Sequence, residues 1–160
     1  MENTVCEKVN LAADLPLVAE YLRQNLRYEE TGEAALCEPA LSVFDRLDAS
    51  FSERVMQQIQ KAGITPKEFY SRANLSRQLF HKLNANPEYR PTRTTAFACA
   101  VALRLPLEQT KELLMSAGYA FSHSVRMDVI VEYFISNGIY DIDRINDVLY
   151  SYDLQPLGSI

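Results

Sequence analysis

The chain has 160 residues, 48% of them apolar and 23% charged, with only five Gly and seven Pro. A chain of that size buries a core without disulfides or metals, and no run of about 18 apolar residues marks a membrane-spanning helix. The formal net charge is −5 but unevenly placed: Ser50–Arg104 carries nine Lys/Arg against three acids, whereas both flanks are acidic, and phosphate binding needs a local basic face rather than a basic protein.

The early acids Glu2 and Glu7 argue against a secretory leader. Cys6, Cys37 and Cys99 are odd in number, far apart and without a CxxC pair, so they read as reduced thiols of a cytoplasmic protein. Asp14–Tyr28 places Leu15, Val18, Leu22 and Leu26 near helical spacing, with Asp14 as a cap. Glu29–Pro39 is acidic and broken by Gly32 and Pro39, and reads as a loop; Ala40–Leu47 reads as a short helix. Residues 1–49 are expected to form an acidic arm or helical layer.

Helix punctuation is dense from Ser50 onward. Ser50 and Glu53 have the spacing of a capping box, and Gly63 is a natural stop for the helix through Val55, Met56 and Ile59. Thr65-Pro66-Lys67-Glu68 predicts a second capping box with Pro at the first helical position. That short helix ends near Asn74, a residue tolerant of left-handed backbone. Ser76 caps a third helix, which sends Leu79, Phe80 and Leu83 inward and ends near Asn84–Asn86. A fourth follows Pro91 with Ala96, Phe97, Ala100, Val101 and Leu103; a fifth runs from Pro106 through Leu113, Leu114 and Met115 to Gly118.

Ser124–Ser136 is apolar on more than one face, which predicts a helix that is either buried or an interface. Its β-branched residues make a strand the competing local reading; length and the Asn137-Gly138 stop favour helix. Asp141–Tyr152 has Ile142, Ile145, Val148, Leu149 and Tyr152 on one stripe, and the tail Asp153–Ile160 is expected to fray. The predicted fold class is all-α: a compact multi-helix bundle with a core at residues 50–120, a C-terminal extension at 121–160 packed on it, and the arm at 1–49.

Arg54–Ala120 resembles the Cro/C1-type (phage repressor-like) helix-turn-helix family. The likeness lies in the order of five short helices and in a few positions. Lys61-Ala62-Gly63-Ile64-Thr65 is similar to the turn between the family's first two helices, and Asn74-Leu75-Ser76-Arg77 to the tight turn into its recognition helix. Phe80 and Leu83 stand where that helix sends aliphatic residues into the core; Pro91, Phe97, Ala98, Ala100 and Leu103 resemble the fourth helix. The sequence departs from the pattern at Pro66, in place of a Gln; at Tyr70, in place of a small residue; and at Asn74, in place of Gly. The Tyr70 ring is expected to splay or re-seat the two motif helices.

The resemblance implies a DNA-binding transcription regulator whose helix at 76–84 lies in the major groove. With Leu75, Phe80 and Leu83 inside, Arg77, Gln78 and His81 face the bases. Arg suits guanine O6/N7 and Gln suits adenine N6/N7. Arg72, Lys82, Arg90 and Arg93 would contact phosphate, with Thr92 adding a neutral contact beside the fourth helix's N-terminus. The bland alternative is that Arg77, Gln78 and Lys82 only solvate a surface helix and that His81 only covers apolar surface. Readers of this type commonly dimerise, and Ser124–Ser136 is the candidate seam, with internal core as its competing role.

Catalysis is not expected, and no cofactor or metal is implied. His81 and His123 sit in no metal or triad spacing. Asp141, Asp143 and Asp147 suggest an EF-hand, but the fifth and sixth loop positions are Ile145 and Asn146 where an oxygen ligand and Gly are required. These acids read instead as helix caps. The second functional reading is a protein-interaction module on a diverged helix-turn-helix fold in a bacterial regulatory or defence system, without DNA binding. Tyr70, the acidic flanks and the aromatic tail (Tyr133, Phe134, Tyr140, Tyr150, Tyr152) favour it.

Overall fold

The computed structural model describes residues 47–158, together with Glu20 and Gln24. Contacts divide the chain into two units, Met1–Asp48 and Ala49–Ile160. In the first, Glu20 and Gln24 are helical, and the Gln24 carboxamide donates to Glu20 Oε1 at 3.1 Å across one turn. The rest of the expected Asp14–Tyr28 helix, the Glu29–Pro39 loop and the Ala40–Leu47 helix up to residue 46 lie outside the described residues, as do Cys6 and Cys37.

The second unit is all-helical. Its elements are α1 (Phe51–Ala62), α2 (Pro66–Arg72), α3 (Arg77–Ala85), α4 (Arg93–Ala102), α5 (Leu107–Ser116), α6 (Arg126–Ser136) and α7 (Ile142–Ser151). No strand occurs among the described residues, and no helix there is long and apolar enough to cross a membrane.

Local chemistry sets most of the boundaries. Ser50 caps α1 and Thr65 caps α2, each in a reciprocal box with Glu53 or Glu68. The Thr65 amide and hydroxyl, with a smaller contribution from Arg72, hold the Glu68 carboxyl below the usual carboxylate range. Gly63 ends α1 at φ 64°. Ser76 caps α3 by accepting the Leu79 amide at 3.1 Å, and Asp141 caps α7 by accepting from the Asp143 and Arg144 amides. Loss of one such cap costs about 1 kcal/mol. Ser76→Ala is therefore expected to lower the urea-unfolding free energy by about that amount, with the denaturant slope unchanged.

The helix buried on every side is α4. All eight residues from Thr95 to Ala102 are buried, and α2, α5 and α7 pack around it. Its small residues Ala96, Ala98, Cys99, Ala100 and Ala102 permit that close approach, while Phe97 and Val101 fill the space between neighbours. Burial pushes the Cys99 thiol up to about 12, so this cysteine is an inert packing residue. The α1 face of Phe51, Val55 and Ile59, together with Phe69, Leu83, Leu114, Val131, Ile145 and Leu149, completes the core.

The sequence expectation for Ser124–Ser136 divides in two. The helix begins at Arg126; Asp128, Val131, Phe134 and Ile135 are buried, whereas Val125, Val129 and Tyr133 are exposed at successive four-residue steps. It is therefore amphipathic, packed against α5 and α7 on one side.

The expectation of a frayed tail is corrected. After α7 the chain turns through Asp153 at φ 56°, and Leu157 is fully buried. Its amide donates to Asn146 Oδ1 at 2.7 Å, and its carbonyl accepts from Asn146 Nδ2 and Asn74 Nδ2 at 3.4 and 3.5 Å. Burial of a leucine and satisfaction of its backbone by carboxamides outweigh the chain entropy that favours fraying.

Candidate nucleic-acid interface

The candidate face is the outer side of α3. Phe80 and Leu83 are buried and Leu79 half-buried, which leaves Arg77, Gln78, His81 and Lys82 exposed, two pairs one turn apart. Both ends of the helix are tethered. At its start, Asn74 adopts φ 52° and the Leu75 amide closes onto the Tyr70 carbonyl at 2.9 Å. At its end, the buried Ser52 hydroxyl of α1 donates to the Asn86 carbonyl at 3.1 Å.

Tyr70 stands at the α2–α3 junction, half-buried, with its ring 5.8 Å from Phe80 and tilted by 49°. Phe69 meets the same ring at 5.8 Å from another side. The large residue is accommodated as one member of a three-ring cluster that seats α3 on α2. Tilted aromatic pairs of this kind add about 0.5–1.5 kcal/mol each beyond area burial.

On the exposed face, Arg77 Nε donates to His81 Nε2 at 3.3 Å. His81 also sets its ring at an edge to Phe80, 6.3 Å between centroids. The histidine thus does two things: it covers Phe80, and it orients the guanidinium of Arg77. Gln78 and Lys82 are exposed beside them. Arg72, at the last turn of α2, lies 3.9 Å from Glu68 in an exposed i,i+4 pair that contributes little and does not immobilise it. Arg90 is exposed in the loop between α3 and α4. That loop is pinned by the Tyr119 hydroxyl donating to the Pro91 carbonyl at 3.0 Å.

No family model, curated protein or solved structure matches the chain.

Two residues that the sequence grouped with phosphate contacts have other partners. Thr92 is the N-cap of α4, accepting the Thr95 amide at 3.3 Å while its hydroxyl meets those of Thr94 and Thr95 at 3.0 and 2.9 Å. Arg93 turns inward. Its guanidinium pairs with the fully buried carboxylate of Asp128 on α6, donates to the Ala120 carbonyl at 3.2 Å and lies 5.1 Å from the centre of the Tyr119 ring. The same Asp128 oxygen accepts the Ser122 amide at 2.8 Å. Sequence reading missed this centre. Its signal was Asp128 itself, an acid set between Met127 and the apolar run Val129–Val131 of α6, where burial demands a cation.

Elsewhere, the exposed His123 Nε2 lies 2.7 Å from Oε2 of the half-buried Glu132. Among the described residues no three metal-ligating side chains converge.

Proposed function

We propose that the protein is a DNA-binding regulator with a repressor-like helix-turn-helix core, reading the major groove through α3. The observation that carries this reading is the wet face of α3, on which Arg77 and Gln78 stand exposed at the helix's N-terminal end above a buried Phe80 and Leu83. That end is the one such helices direct at base edges. Arg77, oriented by His81, supplies a guanidinium suited to guanine, and Gln78 a carboxamide suited to adenine. Arg72, Lys82 and Arg90 serve phosphate. Arg93 is withdrawn from that set because its charge compensates Asp128, and Thr92 contributes through the cap it makes for α4.

One reading helix gives a modest footprint. Two copies reading half-sites about one helical turn apart would meet through the exposed stripe of Val129 and Tyr133 on α6 with Val125 at its N-cap, and the protein is proposed to act without catalysis.

The test is duplex binding across a salt series, followed by selection of bound duplexes from a random pool. Three phosphates neutralised per protomer correspond to a log–log slope of about −2.7. If no duplex binds below about 100 µM at low salt, where non-specific binders still register, the DNA reading fails. The second reading, a protein-interaction module, then takes its place. Tyr133, at 61% exposure on the α6 stripe, is the observation that favours it.

A further inference from the structure

The C-terminal segment Leu154–Gly158 crosses from α7 to the turn that opens α3. Leu154 returns toward the helix end by donating its amide to the Leu149 carbonyl at 2.9 Å. Leu157 then inserts completely into the core, with Asn146 of α7 bonding both its amide and its carbonyl. The same carbonyl accepts from the side chain of Asn74, and the Gly158 amide reaches the Thr94 carbonyl in the first turn of α4 at 3.5 Å.

Gly158 makes the closest approach. It adopts φ 84°, and a Cβ there would stand 2.5 Å from the Asn74 carbonyl oxygen and 2.8 Å from that of Ala73. Two backbones therefore touch, one in the tail and one in the left-handed turn between α2 and α3. The turn is closed locally by the Asn74 and Leu75 amides on the Ser71 and Tyr70 carbonyls, with Ala73 and Leu75 buried beneath it; the tail adds the contact that reaches it from a segment distant in sequence.

We propose that Leu154–Gly158 is a strap that fixes the pose of α3 by clamping the Asn74 turn, so that Leu157, Gly158 and Asn146 are positioning residues for Arg77 and Gln78. A linkage follows. Anything that draws the strap off the body, such as a partner engaging α7 and its tail, loosens the reading helix without touching it. The functional half of this inference rests on the DNA reading; the mechanical half does not.

The experiment is hydrogen exchange by mass spectrometry on the full chain carrying Gly158→Ala or, separately, Leu157→Ala, with Leu157→Met as the volume-conserving control. Amides of Asn74–Phe80 are expected to exchange about tenfold faster or more in the two disrupting variants, with α1 and α5 protection kept, as a local opening requires. Leu157→Met keeps the wild-type protection. Duplex affinity falls several-fold in the disrupting variants while the salt slope is unchanged, since the same phosphates are met. Unchanged exchange at Asn74–Phe80 overturns the strap. So does acceleration spread evenly over all helices, which would make Leu157 a core filler only. Should Leu157→Ala unfold globally, Gly158→Ala decides. A wild-type chain that binds no duplex sinks the DNA reading, yet leaves the exchange result to judge the strap.

Discussion

Replacing Arg93 with Ala is expected to lower folding stability by about 3 kcal/mol in urea unfolding, the low end of what breaking a buried pair costs, because the Arg93 side chain itself is 31% exposed. The reason is what stays behind. Asp128 is 0% exposed, and without the guanidinium its carboxylate keeps only the Ser122 amide as a donor. A buried charge that loses its partner carries its full desolvation cost. The Ala120 carbonyl and the Tyr119 ring lose their cation as well. One Asp128 oxygen, Oδ1, already has no hydrogen-bonding partner, so the site has nothing in reserve. Removing both charges together, Arg93→Met with Asp128→Asn, is expected to cost clearly less than Arg93→Ala alone, since no uncompensated ion remains. A near-neutral Arg93→Ala with weakened duplex binding would return Arg93 to the phosphate face and sink the assignment.

Reversing charge at both Arg77 and Lys82 to Glu is expected to reduce affinity for every duplex by more than about a hundredfold. A bidentate Arg–guanine contact is worth about 1–3 kcal/mol, a phosphate contact adds its counterion term, and each 1.4 kcal/mol is about tenfold. Two carboxylates facing phosphate add repulsion. Both residues are exposed on α3 and neither supports the core, so far-ultraviolet circular dichroism and the unfolding midpoint should hold. The single variants should separate by kind. Lys82→Ala weakens all sequences alike and reduces the salt slope by about 1, whereas Arg77→Ala relaxes preference at one base pair. Retained binding by the double variant removes α3 from the interface.

The parts of the fold legible in the sequence are those that local chemistry decides. The caps at Ser50, Thr65, Ser76 and Asp141, the stop at Gly63 and the left-handed Asn74 depend on neighbours within a few residues, and the spacing of polar oxygens and amides announces them. The burial of Phe80 and Leu83, and with it the exposure of Arg77, Gln78, His81 and Lys82, follows from one helical period. What was not legible depends on partners distant in sequence. Arg93 and Asp128 stand 35 positions apart, and nothing near Arg93 distinguishes a cation bound for phosphate from one bound for a buried acid. The tail is short and lacks helical periodicity, and its order comes from carboxamides at positions 74 and 146 that no local pattern links to Leu157. Tyr70 looked disruptive as an isolated substitution because its accommodation by Phe69 and Phe80 is a three-body arrangement.

The helix at the centre of the unit has a consequence for how this architecture tolerates change. Along Thr95–Ala102 no side chain points to solvent, so an added methylene at Ala96, Ala98 or Ala100 has no outward direction in which to relax and must displace a neighbouring rod bodily. The periphery carries no such restriction. Two divergent descendants of this architecture would accordingly differ most in their outward-facing chemistry, and would share a run of diminutive side chains along the axis on which everything else is hung.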